Sequence, residues 1–174
     1  MIPPKVQFAT ARTRATIARA RTLASVLTLS AMLCSSASAG GIAILDDLFA
    51  GVWSPFGTRW QAEAPVCLWD ESGQGSYHVT ASGGSAGDAF RLDAGSGDGV
   101  RYRVFWQRRD VPGRGHREEL FPGVLSSRPV QGSLAPLCGG EANARVRVEI
   151  DRRDIDRASP GIYADTLTLT LSSL

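Results

Sequence analysis

The sequence predicts an all-β protein, and three observations lead to that prediction. Short runs alternate apolar and polar residues, turns rich in glycine or proline separate them, and the chain ends in the run Thr-Leu-Thr-Leu-Thr-Leu. Alternation with a period of two is typical of a strand, because successive side chains point to opposite faces of a sheet. Short strands joined by such turns favour an antiparallel sandwich or barrel.

Residues 1–39 are predicted to be a secretory signal peptide. Residues 1–22 carry five basic side chains and no acidic one, an apolar run follows at 23–33, and Ala37-Ser38-Ala39 supplies small residues for cleavage. The apolar run is shorter than the ~20 residues of a membrane-spanning helix. We therefore expect cleavage after Ala39, export through the periplasm and a mature chain that does not span the membrane.

The net charge changes sign when the predicted leader is set aside. The chain has 19 Lys and Arg against 17 Asp and Glu, a formal charge of +2. The leader holds five of the basic residues and none of the acids, so the remaining 14 basic and 17 acidic residues give −3. A mildly acidic domain offers no support for nucleic-acid binding.

The alternation assigns the strands of the mature chain in order. The positions expected to face the core are Tyr77, Val79 and Ala81; Phe90 and Leu92; Val100, Tyr102, Val104 and Trp106; Val146, Val148 and Ile150; and Leu167, Leu169 and Leu171. Residues 108–119 are polar and are predicted to form a loop. Residues 151–158 carry many charges and are predicted to form a turn with about one helical coil, ended by Pro160.

Cys67 and Cys138 are the two cysteines outside the predicted leader, and we expect them to form a disulfide in an oxidising compartment. The bond would close a loop of 71 residues. In the chain-entropy model it would contribute on the order of 4 kcal/mol to the free energy of unfolding. A zinc site with His78 and His116 is the alternative, but the ligand spacing does not support it. We expect no metal and no cofactor.

Catalysis finds little support in the sequence. His78 alternates with core positions and should face outward, His116 lies in a charged loop, and no Gly-x-Ser-x-Gly elbow is present. The outward pairs Arg101 with Arg103 and Arg145 with Arg147 read either as a solvated face neutralised by nearby acids or as a patch for an acidic partner. We expect a protein that is not an enzyme.

Several motifs together resemble the spore coat protein U domain family, the secreted subunits of archaic chaperone–usher pili. The matching stretches are residues 67–69, 75–81, 100–104, 120–123, 138–140, 143–148 and 160–171, which cover most of residues 65–174 in the family's order. The resemblance implies an incomplete immunoglobulin-like antiparallel β-sandwich that lacks its final strand. It also implies three partners: a periplasmic chaperone that lends a strand, an outer-membrane usher, and a neighbouring pilus subunit whose N-terminal extension replaces the chaperone.

The resemblance implies roles for two parts of the chain. Leu167, Leu169 and Leu171 would line the acceptor groove of the domain at 65–174. Residues 40–64 would be a donor strand or a first strand, with Ile42, Ile44, Leu48 and Val52 as donor plugs. Asp46 interrupts that register, so residues 40–53 could instead fill the groove of their own domain.

Three functions therefore stay open at the level of sequence. The leading expectation is a structural subunit of a surface pilus that serves attachment and biofilm formation. A tip adhesin without a donor strand is the second, and a free-standing secreted β-domain is the third.

Overall fold

The computed structural model of the protein describes residues 6–9, 40–44, 59–71, 75–94, 99–109 and 117–174. In this part of the chain the strands are β1 (Val6–Ala9), β2 (Gly40–Ile44), β3 (Arg59–Asp70), β4 (Ser76–Ser82), β5 (Arg91–Asp93), β6 (Gly99–Arg101), β7 (Arg103–Arg108), β8 (Arg117–Leu120), β9 (Val130–Gln131), β10 (Ala144–Asp151), β11 (Tyr163–Thr166) and β12 (Thr168–Ser173). One helix, α1, spans Arg152–Asp156, and short 3-10 turns lie at Ala86–Asp88 and Pro136–Gly140. The predicted all-β class is confirmed.

The largest sheet contains five antiparallel strands in the order β2-β3-β10-β7-β8. Its central strand, β10, pairs along its whole length with β3, from Ala144 opposite Val66 to Asp151 opposite Arg59. On its other side, β10 pairs with β7. The long β3 begins at Arg59, so it runs through the boundary at residue 65 that the family resemblance implies.

Two smaller sheets form the other part of the sandwich, and the end of the chain joins them. One has the order β1-β11-β5-β6 and the other the order β12-β4-β9. All pairings in them are antiparallel except that of β1 with β11, which is parallel. Leu167 lies between β11 and β12. One short C-terminal segment therefore contributes a strand to each of the two sheets.

The core contains the apolar faces that the alternation predicts. Each predicted inward position is buried, except Leu171, which is half-buried and packs against the core. Trp106, Val146, Val148 and Ile150 are at most 1% exposed. Residues of β3, among them Val66 and Leu68, add a second apolar row that has no solvent exposure.

The charged segment after β10 forms the short helical turn expected from its sequence. The helix α1 has five residues, and Arg152 pairs with Asp156 across one turn at 3.3 Å. Ile155 and Ala158 pack against the core. The chain then turns at residues 160–161 and enters β11.

The prediction of a loop over residues 108–119 is wrong at both ends. The strand β7 continues through Arg108, and β8 begins at Arg117 and pairs with β7. Arg117 belongs to a strand because its guanidinium lies 3.7 Å from the centre of the Phe105 ring and forms an ion pair with Glu149. A charged residue on the outer face of a sheet does not produce the apolar alternation from which strands are recognised.

Candidate functional site

The site that the sequence singles out is the C-terminal segment, and its side chains alternate between core and solvent. Tyr163, Asp165, Leu167 and Leu169 are buried, between 2% and 8% exposed, and Leu171 is half-buried. Thr166 and Thr170 are exposed. The inner edge of the segment is paired: β12 pairs with β4 from Thr168 opposite Ser82 to Ser173 opposite Tyr77.

The outer edge of β11 is covered by β1. Val6 lies opposite Tyr163 and Ala9 lies opposite Thr166, and the two strands run parallel. The covering strand comes from residues 1–39, the segment that the sequence predicts to be a signal peptide. The edge of β11 therefore accepts a parallel strand, and the strand that occupies it belongs to a part of the chain expected to be removed.

The outer edge of β12 is arranged differently. Among the residues that the structure describes, no strand pairs with that edge, although β2 lies beside β12. The strand β2 pairs instead with the end of β3, in an antiparallel register that sets Ile42 opposite Leu68 and Ile44 opposite Val66. Thus β2 pairs with β3 and also lies close to β12.

Two of the four expected donor plugs lie within β2. Ile42 is 7% exposed and belongs to the core, and Ile44 is half-buried against it. Gly41 lies under the indole ring of Trp69, where a Cβ atom would come within 2.2 Å of that ring. Leu48 and Val52 lie outside the described residues.

A buried carboxylate in β11 connects this strand to the rest of the sandwich. The Tyr102 hydroxyl donates to Asp165 Oδ2 at 2.6 Å, and the backbone N–H groups of Gly84 and Thr166 donate to Oδ1 at 2.9 and 2.8 Å. Burial, and next the hydrogen bond to Asp165, raise the pKa of the Tyr102 hydroxyl well above its ordinary value. Asp165 was not singled out from the sequence, although its inward place between Tyr163 and Leu167 was the available signal.

The disulfide expected between Cys67 and Cys138 is confirmed, with Cα atoms 5.7 Å apart. It joins a fully buried position of β3 to the turn at Pro136–Gly140. In that turn Leu137 and Cys138 adopt left-handed backbone conformations, with φ of 52° and 55°. Such conformations cost about 1–2 kcal/mol per non-glycine residue. The disulfide is therefore attached to a turn whose backbone conformation is unfavourable at two non-glycine residues.

The side chain of Asn143 binds the backbone of β3 near the disulfide, as a neighbouring strand would. Sequence reasoning missed this residue. Its side-chain Oδ1 accepts from the Leu68 N–H at 3.0 Å, and its Nδ2 donates to the Leu68 carbonyl at 2.8 Å. The Ser133 N–H also donates to that carbonyl, at 2.9 Å. The side chain therefore satisfies both backbone groups of Leu68 just before β10 begins. An isolated Asn in a loop gives no sequence signal for this role.

Charges on the outer face of the five-stranded sheet are paired. Arg145 and Arg147 both contact Glu63, Arg145 at 2.8 Å. Arg103 and Arg117 contact the buried Glu149 at 3.7 and 2.5 Å. Arg103, Arg145 and Arg147 therefore match the first of the two interpretations offered for them, a face neutralised by acids on neighbouring strands. Arg101 instead lies in β6 of another sheet, where it is exposed.

The structure adds three findings on other chemistry. His78 faces the loop after β8, with Nδ1 2.6 Å from the Ser126 carbonyl, whereas His116 lies outside the described residues. Within the described ranges, no group of three or more His, Cys, Asp or Glu side chains is placed to hold a metal ion. No helix in the same part of the chain is both long and apolar enough to cross a membrane.

Comparison with known proteins found no matching family model, no matching curated protein and no matching solved structure.

Proposed function

We propose that the protein is a structural subunit of a surface pilus assembled through the chaperone–usher pathway. The observation that carries the proposal is the parallel pairing of β1 with β11, in which the outer edge of Tyr163–Thr166 is covered by a segment from the predicted leader. Once the leader is cleaved, none of the described strands of the mature chain pairs with the outer edge of Tyr163–Thr166. An incomplete immunoglobulin-like sandwich of this kind needs a strand from another protein.

The physical basis is the cost of an uncovered edge. A strand edge without a partner exposes N–H and C=O groups, which promotes pairing with another chain. The buried Tyr163 and Asp165 lie in the strand that has this edge, and the buried Leu167 follows it directly. A partner that adds an extended strand satisfies the backbone groups and closes the core in one step.

Two further features support export and assembly. The disulfide between Cys67 and Cys138 suits an oxidising compartment such as the periplasm. The basic stretch and apolar run of residues 1–39 have the pattern of a secretory leader. The partners of the proposed subunit are a periplasmic chaperone, an outer-membrane usher and neighbouring subunits, and the fibre serves attachment and biofilm formation.

The need for an added strand can be tested on residues 40–174. We expect this domain to unfold at low urea concentration alone, and a peptide with the sequence around Val6–Ala9 to stabilise it. At about 100 times its Kd such a peptide adds about 2.7 kcal/mol to the free energy of unfolding. A scrambled peptide is the control. A sharp, reversible, high-temperature melt that the peptide leaves unchanged would contradict the proposal.

The place of the protein in a fibre is tested on cells. We expect an antibody against the domain to label surface fibres, and deletion of the chaperone gene expected nearby to remove both the fibres and the soluble subunit. Accumulation of the stable, free domain in the deletion strain would favour the free-standing secreted β-domain instead.

A further inference from the structure

A segment that precedes the disulfide-linked part of the domain already has a place in the sandwich. The strand β2 pairs along all five of its residues with β3, from Gly40 opposite Asp70 to Ile44 opposite Val66. It also lies close to β12. This is the segment that the sequence offers as a donor to a neighbouring subunit.

The apolar side chains that a donor would need are used inside this domain. Ile42 is 7% exposed and lies in the same core cluster as Leu68, the residue opposite it, and Ile44 packs against that cluster. Leu68 and Val66 have no solvent exposure. Withdrawal of β2 would uncover this apolar row, because burial against β2 is part of what shields it.

The fit between β2 and β3 depends on a residue without a side chain. The Trp69 ring lies over Gly41, and a Cβ atom at that position would be 2.2 Å from the ring. A donor strand is expected to present alternating apolar side chains, yet in the sequence the next position of this alternation after Ile44 is Asp46. The composition of the segment suits a short, well-fitted first strand better than a long donor.

Chain connectivity favours pairing within one molecule. Residues 45–58 connect β2 to β3 and can span the distance from Ile44 back to Arg59, because an extended chain reaches ~3.3 Å per residue. A segment tethered this closely has an effective concentration in the millimolar range for its own domain. A neighbouring copy of the domain could bind the segment only by competing with this intramolecular pairing.

We propose that Gly40–Ile44 is the first strand of its own sandwich and is not lent to a neighbour, so that the chain accepts a strand at Tyr163–Thr166 and donates none. A subunit with this property ends a fibre. The inference rests on the proposed function for its consequence at the fibre end, but the intramolecular pairing of β2 can be tested separately.

The test is a cross-link between the facing positions 44 and 66. Ile44→Cys and Val66→Cys are introduced together into the full chain, and two copies with different epitope tags are expressed in one cell and oxidised. Residues directly opposite each other in a sheet have Cβ atoms ~4.5–5.5 Å apart, close enough for a disulfide after small movement. The two single-cysteine variants are the controls.

We expect the cross-link to form within single chains, so that non-reducing gels show a monomer and no species carries both tags. Cross-linked species with both tags, or a ladder of covalent oligomers, would show that the segment is donated and would overturn the inference. Peptide mapping by mass spectrometry distinguishes the new bond from the native bond between Cys67 and Cys138.

A second pair of variants keeps the test valid if the double-cysteine protein fails to fold. Ile42→Asn places an amide in the core, whereas Ala43→Asn changes the neighbouring, less buried position of the same strand. If β2 is an internal strand, Ile42→Asn lowers the equilibrium ratio of folded to unfolded monomer more than tenfold relative to Ala43→Asn. Equal stability of the two monomers would overturn the inference.

The fate of the fibre separates this inference from the proposed function. Antibody label confined to one end of each fibre is expected, and label along the whole fibre would overturn the inference while leaving the pilus proposal intact. Intramolecular cross-linking in a protein that no fibre contains would overturn the pilus proposal and leave β2 as an internal strand.

Discussion

Asp165 holds β11 to the body of the domain through hydrogen bonds. Its carboxylate accepts hydrogen bonds from the Tyr102 hydroxyl, the Gly84 N–H and the Thr166 N–H. Buried carboxylates are stable in proteins when their oxygens are satisfied in this way. The position of β11 therefore depends on a polar contact as well as on apolar packing.

The Tyr102 hydroxyl makes the stability of the domain sensitive to alkaline pH. Its pKa is raised in the folded state by burial and by Asp165, so the unfolded tyrosine ionises first, near pH ~10. The contribution of the Tyr102 hydroxyl to the free energy of unfolding is fully present below that pH. It is lost as the pH rises, because the folded state then binds more protons than the unfolded state, and the slope approaches about 1.4 kcal/mol per pH unit.

Replacing Tyr102 with Phe should remove this sensitivity. We expect Tyr102→Phe to lower the free energy of unfolding at pH 8 by about 1–2 kcal/mol, because the carboxylate loses a hydrogen bond. Between pH 9 and 11 the variant should lose less stability than the wild type. Urea unfolding of the full chain, followed by tryptophan fluorescence at several pH values, measures both effects. Parallel pH profiles would contradict the assignment.

At the scale of elements, β12 shows how alternation determines which side chains stabilise the sandwich. Leu169 lies opposite Ala81 of β4 on the core face and is 6% exposed, while the next residue, Thr170, is exposed. The two residues share the same strand and the same neighbour but face opposite environments. They form a matched pair for measuring the contribution of the core face.

Truncation at these adjacent positions should have unequal effects. We expect Leu169→Ala to lower the free energy of unfolding by about 2–3 kcal/mol through lost burial and the remaining cavity. Thr170→Ala should cost less than about 1 kcal/mol, which reflects strand propensity alone. Urea unfolding of both variants of the full chain provides the comparison. Similar losses in the two would mean that Leu169 is not packed against the core.

At the scale of the whole molecule, the disulfide connects distant parts of the chain. It joins β3 to the turn at Pro136–Gly140, across a sequence separation of 71 residues. Asn143 then binds Leu68, the residue that follows Cys67 in β3. The covalent bond and the hydrogen bonds place the turn beside β3 just before the chain enters β10.

Loss of the disulfide should be costly for the entire fold. We expect the double variant Cys67→Ala/Cys138→Ala to lose about 4 kcal/mol of unfolding free energy, because a long loop in the unfolded chain is no longer closed. The measurement is urea unfolding of the variant beside the oxidised wild type, with reduced wild type as the control. An unchanged urea midpoint would show that the non-covalent contacts suffice.

Sequence reasoning identified the strands well where one face is apolar and the other polar. Val146, Val148, Ile150, Leu167 and Leu169 are all buried as their alternation predicts. It failed at β8, because Arg117 is held in a strand by contacts with Phe105 and Glu149, which lie far from it in sequence. In the candidate site, the inward leucines were predicted but Asp165 and Asn143 were missed. These two residues act through partners that only the fold brings near.

The sequence by itself determined the all-β class, the cysteine pair and the inward face of the C-terminal segment. Each of these follows from local periodicity or from residue counts, which do not depend on what lies next to a strand. Only the tertiary structure decided the neighbours of that segment, with β1 parallel to β11 and β2 paired with β3 beside β12. Strand neighbours depend on long-range backbone hydrogen bonds, and those bonds leave no trace in the local pattern of side chains.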